Sequence, residues 1–408
     1  MNENLADWDM KDEIYLDNAA TTPVDPIVKK EMDKYFSEDY GNPGSFNSVG
    51  LRIRLKVDES RQKIADILNC TDREVVFTSG GTESINLALQ GVARANKDNG
   101  KHIITTNAEH HAVLHTLEYL EKNEGFEITY LEVDRYGMVS VEDVKKALRD
   151  DTILVSIIYA SNEIGSINPI SEIGEFLKEK DVYFHTDACQ AACLLDIDVK
   201  NLNVDLMTLN GGKIYGPKGV GMLYVKGGTS IHAILHGGGQ EWRLRSGTEN
   251  IPGIVGFAKA LEICQETKLE EYERLAKLRL YFKKELEEKI SKLHFNGHPT
   301  NCLPNNLNVS ILDIEGEALM LHINEYGICT SSGSACTSLT LDPSHVIIAT
   351  KLPYEVAHGS LRFSMGRYTS KEEIDKVMKV LPNIVKELRL LSPVNLDKNI
   401  VLEEVQNG

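Results

Sequence analysis

The sequence predicts an α/β protein: a large domain on a mostly parallel, seven-stranded sheet, followed by a smaller α+β domain. Three observations predict it. Seven short apolar runs alternate with longer helical patterns: Glu74–Thr78, His102–Thr106, Glu127–Val133, Ile153–Tyr159, Val182–His185, Val204–Thr208 and Gly221–Val225. Several of these runs are almost wholly apolar, as strands covered on both faces must be. Helical patterns such as Thr82–Ala95, Val141–Leu148 and Ile170–Lys178 lie between them, which gives a parallel sheet covered by helices. The third observation is a change of pattern near residue 265, where Glu266–Lys292 reads as a long charged amphipathic helix carrying Leu275, Leu278 and Phe282 on one face.

The expected division is a large domain over 20–265, a small domain over 1–19 and 266–392, and a tail over 393–408 with no clear amphipathic pattern. A chain of 408 residues with 42% apolar content suits two domains and a sizeable core. The formal charge of −17 repels phosphate backbones, so no nucleic-acid partner is expected. No run of 18 or more apolar residues appears, so no membrane span is expected. The N-terminal MNENLADWDMKDE is acidic and has neither a secretory nor an Arg-rich transit pattern, which points to the cytoplasm. The seven cysteines are odd in number and scattered, as reduced thiols are. None has zinc-site spacing and the His110-His111 pair lacks a HExxH pattern, so no metal site is expected from this chain alone.

Ligands of open α/β sheets sit at the carboxyl ends of strands, so the residues following each predicted strand are the candidates. Ser79-Gly80-Gly81-Thr82-Glu83 opens a helix with free N–H groups suited to a phosphate; taken alone, it is also an ordinary Gly-containing helix entry. Asp187 is either a carboxylate for a pyridinium nitrogen or an N-cap. Lys213, in Asn210-Gly211-Gly212-Lys213-Ile214-Tyr215-Gly216, is either a desolvated amine nucleophile or a solvated loop lysine. His110 can stack on a planar ring, and Asn162 can hydrogen-bond a ring substituent; each also reads as an ordinary loop residue. Cys336 lies in the small, polar run Thr330–Ser338, where a thiolate nucleophile can swing into a site, whereas Cys329 beside Ile328 reads as core. Arg362 is a charge in an apolar run and reads equally as a carboxylate clamp or as an edge-strand arginine on a solvated face.

With these segments in order, the chain resembles the cysteine desulfurase family, the class-V aminotransferase branch of fold-type-I pyridoxal-phosphate (PLP) enzymes, from about Ile14 to Leu390. The motifs that carry the resemblance are YLDNAATTP (15–23), YGNPGS (40–45), FTSGGTESIN (77–86), AEHHAV (108–113), SNEIG (161–165), HTDACQ (185–190), GGKIYGPKGVG (211–221), GGGQE (237–241), LRSGTEN (244–250), LPNNLNVS (303–310), SSGSACTS (331–338) and LRFSMGR (361–367). The resemblance implies that Lys213 carries PLP as a Schiff base and acts as general base. It places Asp187 at the ring nitrogen, His110 on the ring face, and Asn162 and Gln190 at the phenolic oxygen. Gly81, Thr82 and Asn210 fall at the phosphate, joined by Thr248 from the other subunit of a homodimer. It also implies L-cysteine as substrate, bound by Arg362 at its carboxylate and by Asn162, with His110 beside Lys213 and Cys336 among the catalytic residues, and L-alanine and a persulfide on Cys336 as products. The sulfur acceptor would be an iron–sulfur scaffold protein or another sulfur carrier, and Cys336 would share a cluster bound on that scaffold. The run Leu341–Val346 behind SSGSACTS resembles the long-loop group that serves iron–sulfur assembly.

Four positions depart from the family pattern. Gly212 stands where histidine is usual, Asn210 where serine is usual, and Asn47 where GNPxS usually runs on to histidine; Ser161-Asn162-Glu163 replaces Asn-Asn-Glu. The first two remove phosphate donors, although the Asn210 amide can replace one, so weaker PLP binding or slower turnover is expected. Competing readings are a selenocysteine lyase or another class-V PLP enzyme, and a paralogue that has lost efficient chemistry. Cys336 argues against an aminotransferase; Lys213, Asp187 and Cys336 together argue against the lost activity.

Overall fold

The computed structural model describes residues 13–332 and 343–393. The expectations for Cys336 and for the tail beyond Pro393 therefore lie outside the described residues. Twelve strands run in chain order: β1 Ile14–Tyr15, β2 Val75–Thr78, β3 His102–Thr106, β4 Glu127–Leu131, β5 Thr152–Ser156, β6 Tyr183–Asp187, β7 Leu206–Asn210, β8 Gly221–Val225, β9 Leu293–Asn296, β10 Asn306–Ile311, β11 Ile328–Cys329 and β12 Ser360–Ser364.

The seven predicted runs form one sheet of order β2-β8-β7-β6-β5-β3-β4. It is parallel except for β8, which runs antiparallel to both neighbours. Side chains alternate between its two faces. Phe77, Ile104, Val155, Met207 and Met222 face one core cluster, completed by helices Ser48–Leu68 and Ile170–Leu177 and by the first half of Ile251–Lys289. Val76, Ile103, Leu154, Leu206 and Leu223 face the other, under helices Gly81–Asn96 and His111–Glu124. The expected α/β layering of the large sheet is thus present.

Strand ends differ from the sequence expectation where they matter most. The sixth and seventh strands run two residues later, so Asp187 and Asn210 are the last residues of β6 and β7 rather than loop residues. The fifth ends at Ser156, although the Ile157 and Tyr159 N–H groups still donate to the carbonyls of His185 and Asp187 on β6, 3.1 and 3.0 Å away. Gly221 opens β8 beside the end of β2; a Cβ there would lie 2.7 Å from the Gly80 backbone, so the phosphate-type loop can lie against the start of β8 only because position 221 is glycine.

The long helix begins at Ile251, not Glu266, and runs 39 residues. Asn250 caps it, accepting from the Gly253 N–H at 3.1 Å. Its first turns carry Ile251, Ile254, Val255, Phe257, Ala258, Ala260 and Leu261 buried on nearly every side, so they lack the charged face that signals a surface helix. The boundary expected after residue 265 therefore lies within a continuous helix.

Beyond it, β12-β10-β9 form an antiparallel sheet and β1 pairs in parallel with β11. Leu278, Phe282, Val309, Phe363, Ile374 and Leu381 share a further core cluster. The segment after β1 ties the sheets together. Asn18 donates to the Ser364 carbonyl at the end of β12, while Thr22 and Asp25 donate to the carbonyls of Gly212 and Tyr215 in the loop between β7 and β8. No helix among the described residues is long and apolar enough to cross a membrane.

Candidate active site

Lys213 sits in the β7–β8 loop, in a tight turn begun by Asn210, whose side chain accepts from the Gly212 N–H at 3.2 Å. Its ammonium points inward and donates to the carbonyls of Ala19 (2.8 Å) and Ala20. Burial lowers its pKa below the ordinary lysine value; Arg362 acts in the same direction, against Cys189, Asp187 and Asp17. The solvated-loop reading of Lys213 is thereby excluded. Gln190 joins the same point, its side-chain amide donating to the Ala19 carbonyl at 2.9 Å.

Asp187 is buried at the end of β6 and accepts from the Cys189 N–H at 3.0 Å. His110 caps helix His111–Glu124, with Nδ1 accepting from the Ala112 N–H at 3.0 Å. That bond fixes Nδ1 as the lone-pair nitrogen and leaves the ring proton on Nε2. Burial, with the positive charge of Lys213 and His345, lowers the His110 pKa against the pull of Asp187 and Glu163, so the ring is neutral and apolar enough to lie on a flat ligand. Asp187, His110 and Lys213 thus converge within electrostatic reach of one another.

Helix Gly81–Asn96 starts beside them. Gly80 caps it without a side chain, so the first turn keeps N–H groups for an anion. A Cβ on Gly81 would meet the Cys189 sulfur at 3.1 Å and the Asn210 side chain at 3.6 Å, so the cradle is open because position 81 is glycine and the Asn210 amide borders it. Thr82 is exposed and shares with His110, His111, Asn86 and Gln90 a cleft of about 480 Å³. Thr248 is exposed on a separate loop. That loop is tied to the helix start by the Arg245–Glu83 ion pair at 2.9 Å.

Arg362, on β12, is only 2% exposed, which excludes the solvated-face reading. It is not a free clamp: Nη2 pairs with Asp17 at 2.7 Å and Nη1 donates to the Asn162 carbonyl at 2.9 Å, while Nε is buried with no partner among the described residues.

Sequence reasoning gave no role to four groups that shape this site. The Ala19 and Ala20 carbonyls and Asp17 belong to YLDNAATTP, a motif noted only as resemblance; its small residues, which let a backbone approach closely, were the available signal. Cys189 lies under Gly81, its thiol pushed up by burial and by Asp187. Glu109 is fully buried; burial pushes its pKa up to about 8, helped by Asp187 and opposed by bonds from the Ile158 N–H (2.8 Å) and the Thr106 hydroxyl (3.1 Å). Its Oε2 is buried with no hydrogen-bond partner among the described residues.

The aminotransferase class-V family model matches residues 14–377. The chain belongs to that family. It is 52% identical to the cysteine desulfurase IscS of Methanosarcina thermophila over 93% of this chain and 94% of the relative. It is 50% identical to the cysteine desulfurase IscS of Dictyoglomus turgidum over 94% and 97%. Among solved structures, a NifS-like protein superposes with TM-score 0.87 at 38% identity, covering 92% of this chain and all (100%) of that one. A structure of SspA in complex with cysteine gives 0.77 at 35%, covering 88% and 100%. The expected fold-type-I architecture is thereby established. PLP is the cofactor of this family, and the residues present fit it: an uncapped helix start beside a side-chain amide, a buried carboxylate, a neutral imidazole and a desolvated lysine.

Two predictions follow from this geometry. Glu109 keeps its proton in the folded state up to about pH 8 but loses it near the ordinary carboxylate value of 4.5 when unfolded. Between those values the folded state binds more protons, so stability falls as pH rises. Glu109→Gln removes that loss: its thermal midpoint relative to the parent improves steadily from pH 5 to pH 8, by up to roughly 1.4 kcal/mol per pH unit. A gap independent of pH contradicts the assignment. A Cβ on Gly212 would make only ordinary contacts, 3.6 Å from the Thr21 hydroxyl and 3.7 Å from Lys218, so Gly212→His folds normally. Titration of the variant with PLP shows tighter binding than in the parent; unchanged affinity and rate remove the idea that Gly212 weakens the site.

Proposed function

We propose that the chain is a cysteine desulfurase that removes sulfur from L-cysteine, giving L-alanine and a persulfide on Cys336. The observation that carries this reading is the desolvated Lys213 converging with Asp187 and His110, in a chain whose relatives, half identical along nearly their whole length, bear that activity.

Gly81, Thr82 and Asn210, with Thr248 of a second copy, would hold the PLP phosphate. Asp187 would hold the ring nitrogen in its protonated form, Asn162 and Gln190 the phenolic oxygen, His110 the ring face, and Lys213 the aldehyde carbon. Bound PLP supplies an electron sink for charge developing on the substrate. Lys213, its pKa lowered by burial, offers a neutral amine that takes the proton from the substrate Cα and returns it. Arg362, held in place by Asp17, orients the substrate carboxylate through the part of its fork that Asp17 and Asn162 leave free. The Cys336 thiolate attacks the substrate sulfur: the S–S bond forms, the Cβ–S bond breaks, and its electron pair stays on carbon and is quenched by a proton. Cysteine plus enzyme thiol thus becomes alanine plus enzyme persulfide, with no further reactant.

The same reading makes 20–265 the cofactor-binding domain, and 1–19 with 266–392 the domain that carries Cys336. The exposure of Thr248 suits a composite site in a cytoplasmic homodimer. The acceptor is an iron–sulfur scaffold protein, on the long-loop likeness around Cys336, which would share a scaffold-bound cluster. The test is incubation of the holoprotein with cysteine, measuring alanine and the mass of Cys336 together. The parent forms both, Cys336→Ala keeps the bound cofactor's absorbance but loses both products, and Lys213→Ala loses absorbance and products. Full sulfur release by Cys336→Ala contradicts the mechanism.

A further inference from the structure

Two thiols unused by the proposed reaction meet beside Lys213. Cys193 follows the turn that carries Asp187 and Gln190, and Cys264 lies on helix Ile251–Lys289; their sulfurs are 2.6 Å apart across 71 residues of sequence. Each also touches the Lys213 loop: Cys193 Sγ is 3.9 Å from the Lys213 carbonyl oxygen and Cys264 Sγ is 3.4 Å from that of Ile214. Arg367 completes the group. One terminal nitrogen lies 3.7 Å from Cys264 Sγ, the other pairs with Asp25 at 2.6 Å, and its guanidinium stacks on Tyr215. Cys264 is buried and Cys193 partly open, and both line, with Lys213, Gln190 and Arg367, a cavity of about 30 Å³. That space admits a molecule the size of water or hydrogen peroxide and excludes a larger disulfide reagent.

We propose that Cys193 and Cys264 are a redox modification site that forms a disulfide with hydrogen peroxide. The sulfurs need to close by only about 0.6 Å to reach the roughly 2.04 Å of that bond. Cys193 holds its proton, its thiol pushed up by the neighbouring sulfur and by burial, and the Arg367 guanidinium lies beside Cys264 rather than Cys193. Cys264, the thiol beside the guanidinium, attacks the peroxide; its proton leaves with the departing hydroxide as one water, and a sulfenic acid remains. Cys193 then displaces the hydroxyl as a second water, so two thiols and one peroxide become one disulfide and two waters. The bond staples the Asp187–Gln190 turn to the long helix and pins the backbone that carries Lys213, the partner chemistry being a small oxidant and, in reverse, a dithiol reductant.

The test uses Cys336→Ala holoprotein, which has six cysteines, one fewer than the seven of the chain. After peroxide, denaturation and alkylation, four thiols are labelled, and peptide mapping finds Cys193 joined to Cys264. Dithiothreitol restores all six, and the oxidised form melts roughly 5 °C higher, because the link closes a long loop. In Cys193→Ser on the same background, peroxide leaves the melting temperature unraised and joins no pair. The proposal is overturned if Cys193 and Cys264 stay alkylatable, are oxidised singly, or are joined to other cysteines.

Discussion

The site depends on one constraint: the Lys213 ammonium is taken out of water and given only backbone carbonyls as partners. Desolvation disfavours the charged amine, and the carbonyls of Ala19 and Ala20 offset that penalty with hydrogen bonds but no full charge. A carboxylate in their place would hold the proton firmly and silence the amine. The same N-terminal segment binds the loop at Gly212 and Tyr215 and reaches β12 at Ser364, so the lysine is positioned by chain from both ends of the sequence. Tyr215 stands in the left-handed region at φ 61° and is kept there by bonds from its N–H to the Thr22 hydroxyl and to its own hydroxyl from the Arg367 N–H. Strain of about 1–3 kcal/mol persists only where contacts over-determine the backbone, and here they fix the turn that aims Lys213.

Around the lysine lie two buried carboxyl groups in different surroundings. Asp187, at a strand end with a backbone donor, serves as the anion in the proposed mechanism, whereas Glu109 is driven to its acid form by full burial and by Asp187 itself. Environments that push paired acids apart separate their roles. Glu109 neutral would leave Asp187 as the counter-charge for a protonated ring nitrogen in that mechanism, and the Glu109 backbone carbonyl receives the His345 Nε2–H at 2.9 Å, where the His345 ring lies tilted against that of His111.

The sequence was informative wherever period and composition carry the structure. Seven buried strands announce themselves because both faces are apolar, and their carboxyl ends lead to Gly81, Asp187 and Lys213. What escaped is what pattern does not encode. The first turns of helix Ile251–Lys289 are buried all round and show no amphipathic stripe. Asp187 and Asn210 proved to be strand residues, because ladder bonds outlast the apolar run by two positions. Arg362 read equally as clamp or surface charge until its ion pair with Asp17, 345 residues away in sequence, was seen. The meeting of Cys193 with Cys264 is likewise a tertiary fact, invisible in spacing alone.

The most direct measurement is chemical. Two lysines share the loop, Lys213 facing inward and Lys218 donating to the Thr22 carbonyl at 2.6 Å. Holoprotein treated with borohydride fixes PLP to whichever amine carries it, and peptide mapping reads the site. The account predicts the phosphopyridoxyl group on Lys213 alone, with stoichiometric labelling; label on Lys218, or spread over other lysines, contradicts it.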